Sequence, residues 1–307
     1  MNFKDYIVHL KKSDVPIFGY LVGYSVAGSA KADRTLLEKL VSGYSVKPRI
    51  PPKPNHGDLF RRGCTEAQKT RTRIPGNGPD ELFNFLIRDA GNDAEEIHRV
   101  VVCETVDPNG HTLGHTEVGR LVYDKVLEKL VPKPVGCDPV VEEIHNDVGN
   151  YIKEWSGQLN HNGIRSVFSS VLDRKLNSTR WHPNGGVYFV PHFHTDGLEL
   201  LEDVAHFVGP EASFQYAPLL DDEKQRSQVR EAFEANSIGA LENLSDRIAL
   251  ALTDPSTTDS DLIQLQTEYQ QFKDSTDEYQ ALLGTQLVRL DSVLDLTSKQ
   301  LVAMLSR

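Results

Sequence analysis

Residues 180–197, RWHPNGGVYFVPHFHTDG, hold a turn, an apolar run and three histidines in eighteen positions. The stretch HPNGG at 182–186 has turn chemistry, with a proline that presets φ and glycines that admit positive φ. VYFVP at 187–191 then reads as the returning strand. Its period of two turns Val187, Phe189 and Pro191 to one face and Tyr188 and Val190 to the other, so both faces carry apolar side chains and the strand belongs in a core.

Two helices are expected upstream of it. Pro139 suits a first helical turn after Asp138 as N-cap, and Val140, Ile144, Val148, Ile152 and Trp155 fall on one face. SGQLN breaks that run, and Ile164, Val167, Phe168, Val171, Leu172 and Leu176 mark a second helix over 161–175. A short strand, STRW, leads into the turn. The order helix, turn, helix, two-stranded ribbon over 138–191 resembles a winged helix-turn-helix. That resemblance implies that 161–175 is a recognition helix and HPNGG a wing, with Lys153, His161, Arg165, Arg174, Lys175 and Arg180 as a cationic contact surface and His182 and Asn184 at the wing tip. A helical pair beside a hairpin that docks protein, or only supports the fold, would have the same pattern.

The histidines open a different chemistry. On an extended strand His192, His194 and Asp196 would share one side, a spacing that can bring two imidazoles and a carboxylate to one divalent metal. His111, His115 or His182 would complete the set. No H-E-x-x-H, cysteine pair, phosphate-loop lysine or G-x-S-x-G elbow accompanies them, so polar loop residues remain the plainer reading.

Composition limits the rest. A hydrophobic fraction of 39% and a charged fraction of 25% in 307 residues describe a globular chain with room for a sizeable core. The net charge of −11 opposes nucleic acid and acidic membrane surfaces unless a local basic patch overcomes it. Cys64, Cys103 and Cys137 are odd in number and unpaired in spacing, which points to a reducing compartment and a cytoplasmic protein. Nowhere do about 18 apolar residues run together, so no membrane span is expected.

Working outward, PIFGYLVGYSV predicts a strand or two, TLLEKLVSGY a helix, and SVKPRIPPKPNHG an extended arm with four prolines. PDELFNFLIRDAG at 79–91 predicts a helix, and Leu121 to Leu130 another. Between them, HRVVVCETVDPNGHTLGHTEV predicts a β-hairpin turning at Asp107-Pro108-Asn109-Gly110. A helix from about 223 to 251 precedes the polar break DPSTTDSD. From about 261 a second long helix carries Leu262, Leu265, Tyr269, Phe272, Thr276, Tyr279, Leu283, Leu287, Leu290 and Leu294 in near-heptad spacing.

The fold expected is therefore α+β: a mixed body over 1–215 with β-hairpins and the winged-helix-like unit, then a helical hairpin or coiled coil over 216–307. The stretches KPRIPPKPNHGDLFRR, ETVDPNGHTLGH and RWHPNGGVYFVP resemble an uncharacterised family of bacterial and phage proteins; the likeness implies a prokaryotic or viral cytosolic setting and carries over no catalytic residue. Three functions stay open. The first is a non-enzymatic binding or assembly protein that contacts DNA or a protein partner and self-associates through its C-terminal helices. The second is a metal-dependent hydrolase or nuclease at the histidine cluster. The third is a purely structural assembly subunit.

Overall fold

A computed structural model of the chain describes residues 16–73, 82–107, 109–131, 139–182, 185–254 and 256–305. They form an α+β protein of eleven strands and eight helices among the described residues. The chain divides into two compact units, 1–51 with 160–307, and 52–159. The break thus falls inside the proline arm and again before residue 160.

The discontinuous unit is built on a four-stranded antiparallel sheet. β1 (Ile17–Val26) and β10 (Val187–Pro191) lie at its centre, between β11 (Ala212–Leu220) and the two-residue edge strand β9 (Thr179–Arg180). The alternation read from VYFVP holds. Tyr188 and Val190 pair with Val22 and Tyr20, and on that face Tyr24 stacks on Phe168 of α4 (His161–Lys175) with ring centroids 4.7 Å apart. Phe189 faces the other way, against Phe18 and Tyr279.

That second face is covered by three helices, α6 (Glu223–Thr253), α7 (Asp259–Leu283) and α8 (Val288–Leu305). The single seam expected over 262–294 is corrected here: Gly284, at φ 64°, adopts the left-handed conformation and ends α7, so Leu290 and Leu294 belong to a separate helix and Leu287 lies just before it. These leucines, with Leu265, Tyr279 and Leu283, are buried against α6 and the sheet of the same chain. The near-heptad spacing therefore closes an intramolecular core. A reciprocal capping box between Thr258 and Asp261 starts α7, as the polar break suggested.

In the 52–159 unit, β3 (Lys69–Thr72), β4 (Leu82–Asn92), β5 (Glu96–Val106), β6 (Thr112–Asp124) and β7 (Lys129–Leu130) make a five-stranded antiparallel sheet in chain order. The helix predicted at 79–91 is instead strand β4: Phe83 and Phe85 are buried while Leu82, Asn84 and Leu86 between them are less so, a period of two. The helix predicted from Leu121 is the end of β6, a turn, and β7. The β5–β6 hairpin forms as expected, with Gly110 at φ 91° donating to the Asp107 carbonyl. One face of this sheet packs on α2 (His56–Glu66) and α3 (Pro139–Trp155) around Phe60, Cys64, Phe85, Leu121 and Tyr123.

The winged-helix expectation fails at this level. α3 buries Val141, Ile144 and Val148 in the 52–159 unit, whereas α4 belongs to the other unit and lies on its sheet. The strand expected to form one side of a wing is a central strand, held between β1 and β9. Helical spacing records which face of each helix is apolar; it does not record which sheet that face will meet. The proline arm packs on its own unit up to Pro51, where Arg34 donates to the Pro51 carbonyl at 2.6 Å and Ser170 accepts from the Arg49 amide at 2.9 Å.

Candidate binding groove

The expected metal ligands do not converge. Strand β10 ends at Pro191, and α5 (Thr195–Val208) begins with His194 as its N-cap, so the three side chains do not share an extended strand. Helix α5 was not foreseen, because Gly197 and the polar run before it read as a loop. His192 Nδ1 lies 3.3 Å from the Phe18 carbonyl, His194 Nε2 lies 2.9 Å from Glu278 Oε1, and Asp196 accepts from Ser45 Oγ at 3.3 Å. Among the described residues no group of three or more His, Cys, Asp or Glu side chains is arranged to hold a metal ion.

The cations expected on a recognition helix also separate. Arg165 is spent on the fold: its Nη2 donates to the Val26 carbonyl at 2.6 Å and ties α4 to the end of β1. Lys153 lies on α3 in the 52–159 unit, and His161 is the first residue of α4. His182 is exposed, its carbonyl accepting from the Gly185 amide at 2.9 Å, and Asn184 lies outside the described residues.

Arg174, Lys175 and Arg180 do come together, and His194 joins them, in a groove of about 780 Å³. The C-terminal end of α4 supplies Arg174 and Lys175, and edge strand β9 supplies Thr179 and Arg180. None of the three cations makes an ion pair among the described residues. Arg180 rests over the Tyr188 ring, 5.7 Å from its centroid, which holds the guanidinium by a cation–π contact while leaving its donors available. Asp173 shares the groove, and the desolvation of its surroundings pushes its carboxyl above the usual value against the opposing pull of Arg180 and Arg174.

One polar stripe of α7, from Gln264 through Glu268 and Gln271 to Ser275 and Glu278, faces these cations. These positions recur every three or four residues, so they lie on one face of the helix beside the apolar stripe that fills the core. The seam reading followed only the apolar stripe. The groove is closed at its base by hydrogen bonds to Asn177: Ser275 Oγ donates to its Oδ1, and Tyr279 OH donates to its carbonyl at 2.9 Å. Asn177 sits at φ 45°, a left-handed conformation that asparagine tolerates better than most residues. Asn236 of α6 donates to the Arg180 carbonyl at 2.8 Å and so caps the outer edge of β9.

Two buried polar atoms of lining residues, Asn177 Nδ2 and Ser178 Oγ, have no hydrogen-bond partner among the described residues. Buried donors of this kind are uncommon and cost stability unless something satisfies them. The groove lining as a whole carries cations, amides and hydroxyls.

A family model described as a family of unknown function (DUF6744) matches residues 17–307. No curated protein and no solved structure matches the chain.

Proposed function

The chain belongs to the DUF6744 family, whose function is unknown, and we propose from its geometry that it is a binding protein which holds an anionic segment of a partner in the groove between α4, β9 and α7. The observation that carries this reading is the set Arg174, Lys175 and Arg180, gathered beside the acid Asp173 on one groove and without ion pairs among the described residues, in a chain of net charge −11. A volume of about 780 Å³ lies within the range of ligand-holding clefts, roughly 300–1,000 Å³. The reading keeps three of the cations anticipated for a DNA-contacting wing and seats them in a cleft. A duplex held by a recognition helix is a poorer fit, because Arg165 of that helix is bound to the fold.

Fluorescence anisotropy with labelled octaglutamate and labelled octathymidylate, from low to physiological salt, tests the proposal. Binding of at least one probe is expected, weakening with salt and lost in the Arg174→Glu/Arg180→Glu double variant. Both side chains are exposed, so the variant keeps its circular dichroism and melting profile. Absence of binding by either probe at low salt, or equal binding by the double variant, would overturn it.

A further inference from the structure

Resting on that groove reading, we infer that His194 sets the charge of the groove: neutral, it leaves the lining near charge balance, and protonated it makes the lining cationic, so that anion binding strengthens as pH falls from about 8 to about 6. The inference follows from which charges on the lining are already matched. Arg247 of α6 donates from Nη1 to Glu268 Oε1 at 3.0 Å, so Glu268 adds no net charge. Arg174, Lys175 and Arg180 make no ion pair among the described residues. Neither do Asp173, beside them on α4, and Asp274 of α7, which accepts from Gln270 Nε2 at 2.7 Å.

The remaining acid is Glu278, whose Oε1 lies 2.9 Å from His194 Nε2. A neutral imidazole can donate this hydrogen bond but leaves the carboxylate charge in the groove, where Glu278 with Asp173 and Asp274 offsets the cations. A protonated imidazole cancels Glu278, and the cations are then in excess. Histidine is the side chain whose ordinary titration lies between pH 5 and 8, and His194 is the one histidine on the described lining. Solvent protons reach the pair, because the His194 and Glu278 side chains are 24% and 32% exposed. The neighbouring His192 and Asp196 are turned to the Phe18 carbonyl and to Ser45 Oγ. Asp173 works in the same sense: desolvation makes its carboxyl hold a proton more tightly than usual, so its charge also fades on acidification.

The test uses the full chain with labelled octaglutamate and labelled octathymidylate at low salt, at about pH 6 and about pH 8. Carboxylates titrate near pH 4.3 and phosphodiesters lower still, so both probes keep their charge across this window. Whichever probe binds is expected to bind about threefold or more tighter at the lower pH, roughly the worth of one exposed charge pair. His194→Gln should keep the weaker affinity at both values; His194 makes no side-chain capping bond to α5, so the variant retains its circular dichroism. Glu278→Gln should bind at the higher pH as tightly as the unmodified chain does at the lower. Equal binding by the unmodified chain at the two values, a pH dependence that survives in His194→Gln, or no gain in Glu278→Gln would overturn this inference and leave the groove reading standing. Binding by neither probe at either pH would overturn both.

Discussion

Tyr279→Phe removes a single oxygen from the place where the helical layer is tied to the loop at the base of the groove. The Tyr279 side chain is fully buried, its ring lies 3.8 Å from that of Phe233 at an interplanar angle of 11°, and its hydroxyl donates to the Asn177 carbonyl at 2.9 Å. Phenylalanine keeps the stack and abolishes the hydrogen bond. The net loss of one hydrogen bond is about 1 kcal/mol, and an acceptor left without its donor adds about 1–2 kcal/mol, so a destabilisation of about 2–3 kcal/mol is expected. Urea unfolding measures it. The chain has two tryptophans, and Trp181 packs against the C-terminal core, so a Trp155→Phe background makes the emission report this unit alone. With a denaturant dependence of about 2–3 kcal/mol per molar, the midpoint should fall by about 1 M. Tyr279→Ala, which also removes the ring, should cost about 3–5 kcal/mol. A midpoint unchanged in Tyr279→Phe would refute the reasoning that this hydroxyl anchors Asn177, and equal losses in the two variants would refute the weight given to the ring stack.

Two further outcomes are expected, one for each unit. Burial pushes the Cys64 thiol up to about 12 and the Tyr123 hydroxyl up to about 12, so both protons are held more tightly in the fold than in the unfolded chain. Below about pH 7.5 the thiol is neutral in both states and contributes no pH dependence; as pH rises from about 8 toward 12 the unfolded chain loses protons that the fold retains, and the stability of the 52–159 unit should fall. Unfolding at pH 8 and pH 10.5, followed at Trp155 in a Trp181→Phe background, checks this, and equal stability at the two values would contradict it. In the other unit, Gly284→Ala forces a β-carbon into φ 64° and should cost about 1–2 kcal/mol by the same Trp181 assay, whereas a neutral or stabilising effect would show that α7 and α8 do not need the left-handed break.

Local patterns were legible where one principle acted alone. The alternation of Val187–Pro191, the hairpin at Asp107–Gly110 and the helix over 161–175 rest on period, turn chemistry and capping, and each forms as read. The stretch 79–91 misled because Pro79, the early acids Asp80 and Glu81 and the closing Gly91 mimic helix punctuation, while the Phe83–Phe85 alternation was outweighed until β5 supplied its pairing partner. Leu121 to Leu130 misled because a strand, a turn and a second short strand happen to repeat leucines at near-helical intervals.

The candidate groove was legible in its residues but not in its shape. Arg174, Lys175, Arg180 and His194 stood out by charge and chemistry, yet the groove also needs Gln264, Gln271 and Glu278, some seventy to one hundred positions further along, which a seam reading passes over as solvent-facing. By itself, then, the sequence determined the mixed α+β class, the double-sided burial of β10, and the polar cap that begins α7, since each depends on interactions within a few residues. Only the tertiary structure decided that the two helices expected to form one module lie in separate units, that the apolar seam closes on its own chain, and that the histidines part company. Those outcomes depend on which apolar surface covers which other, and the energy of burial, being non-directional, does not record its partner in the spacing of either segment.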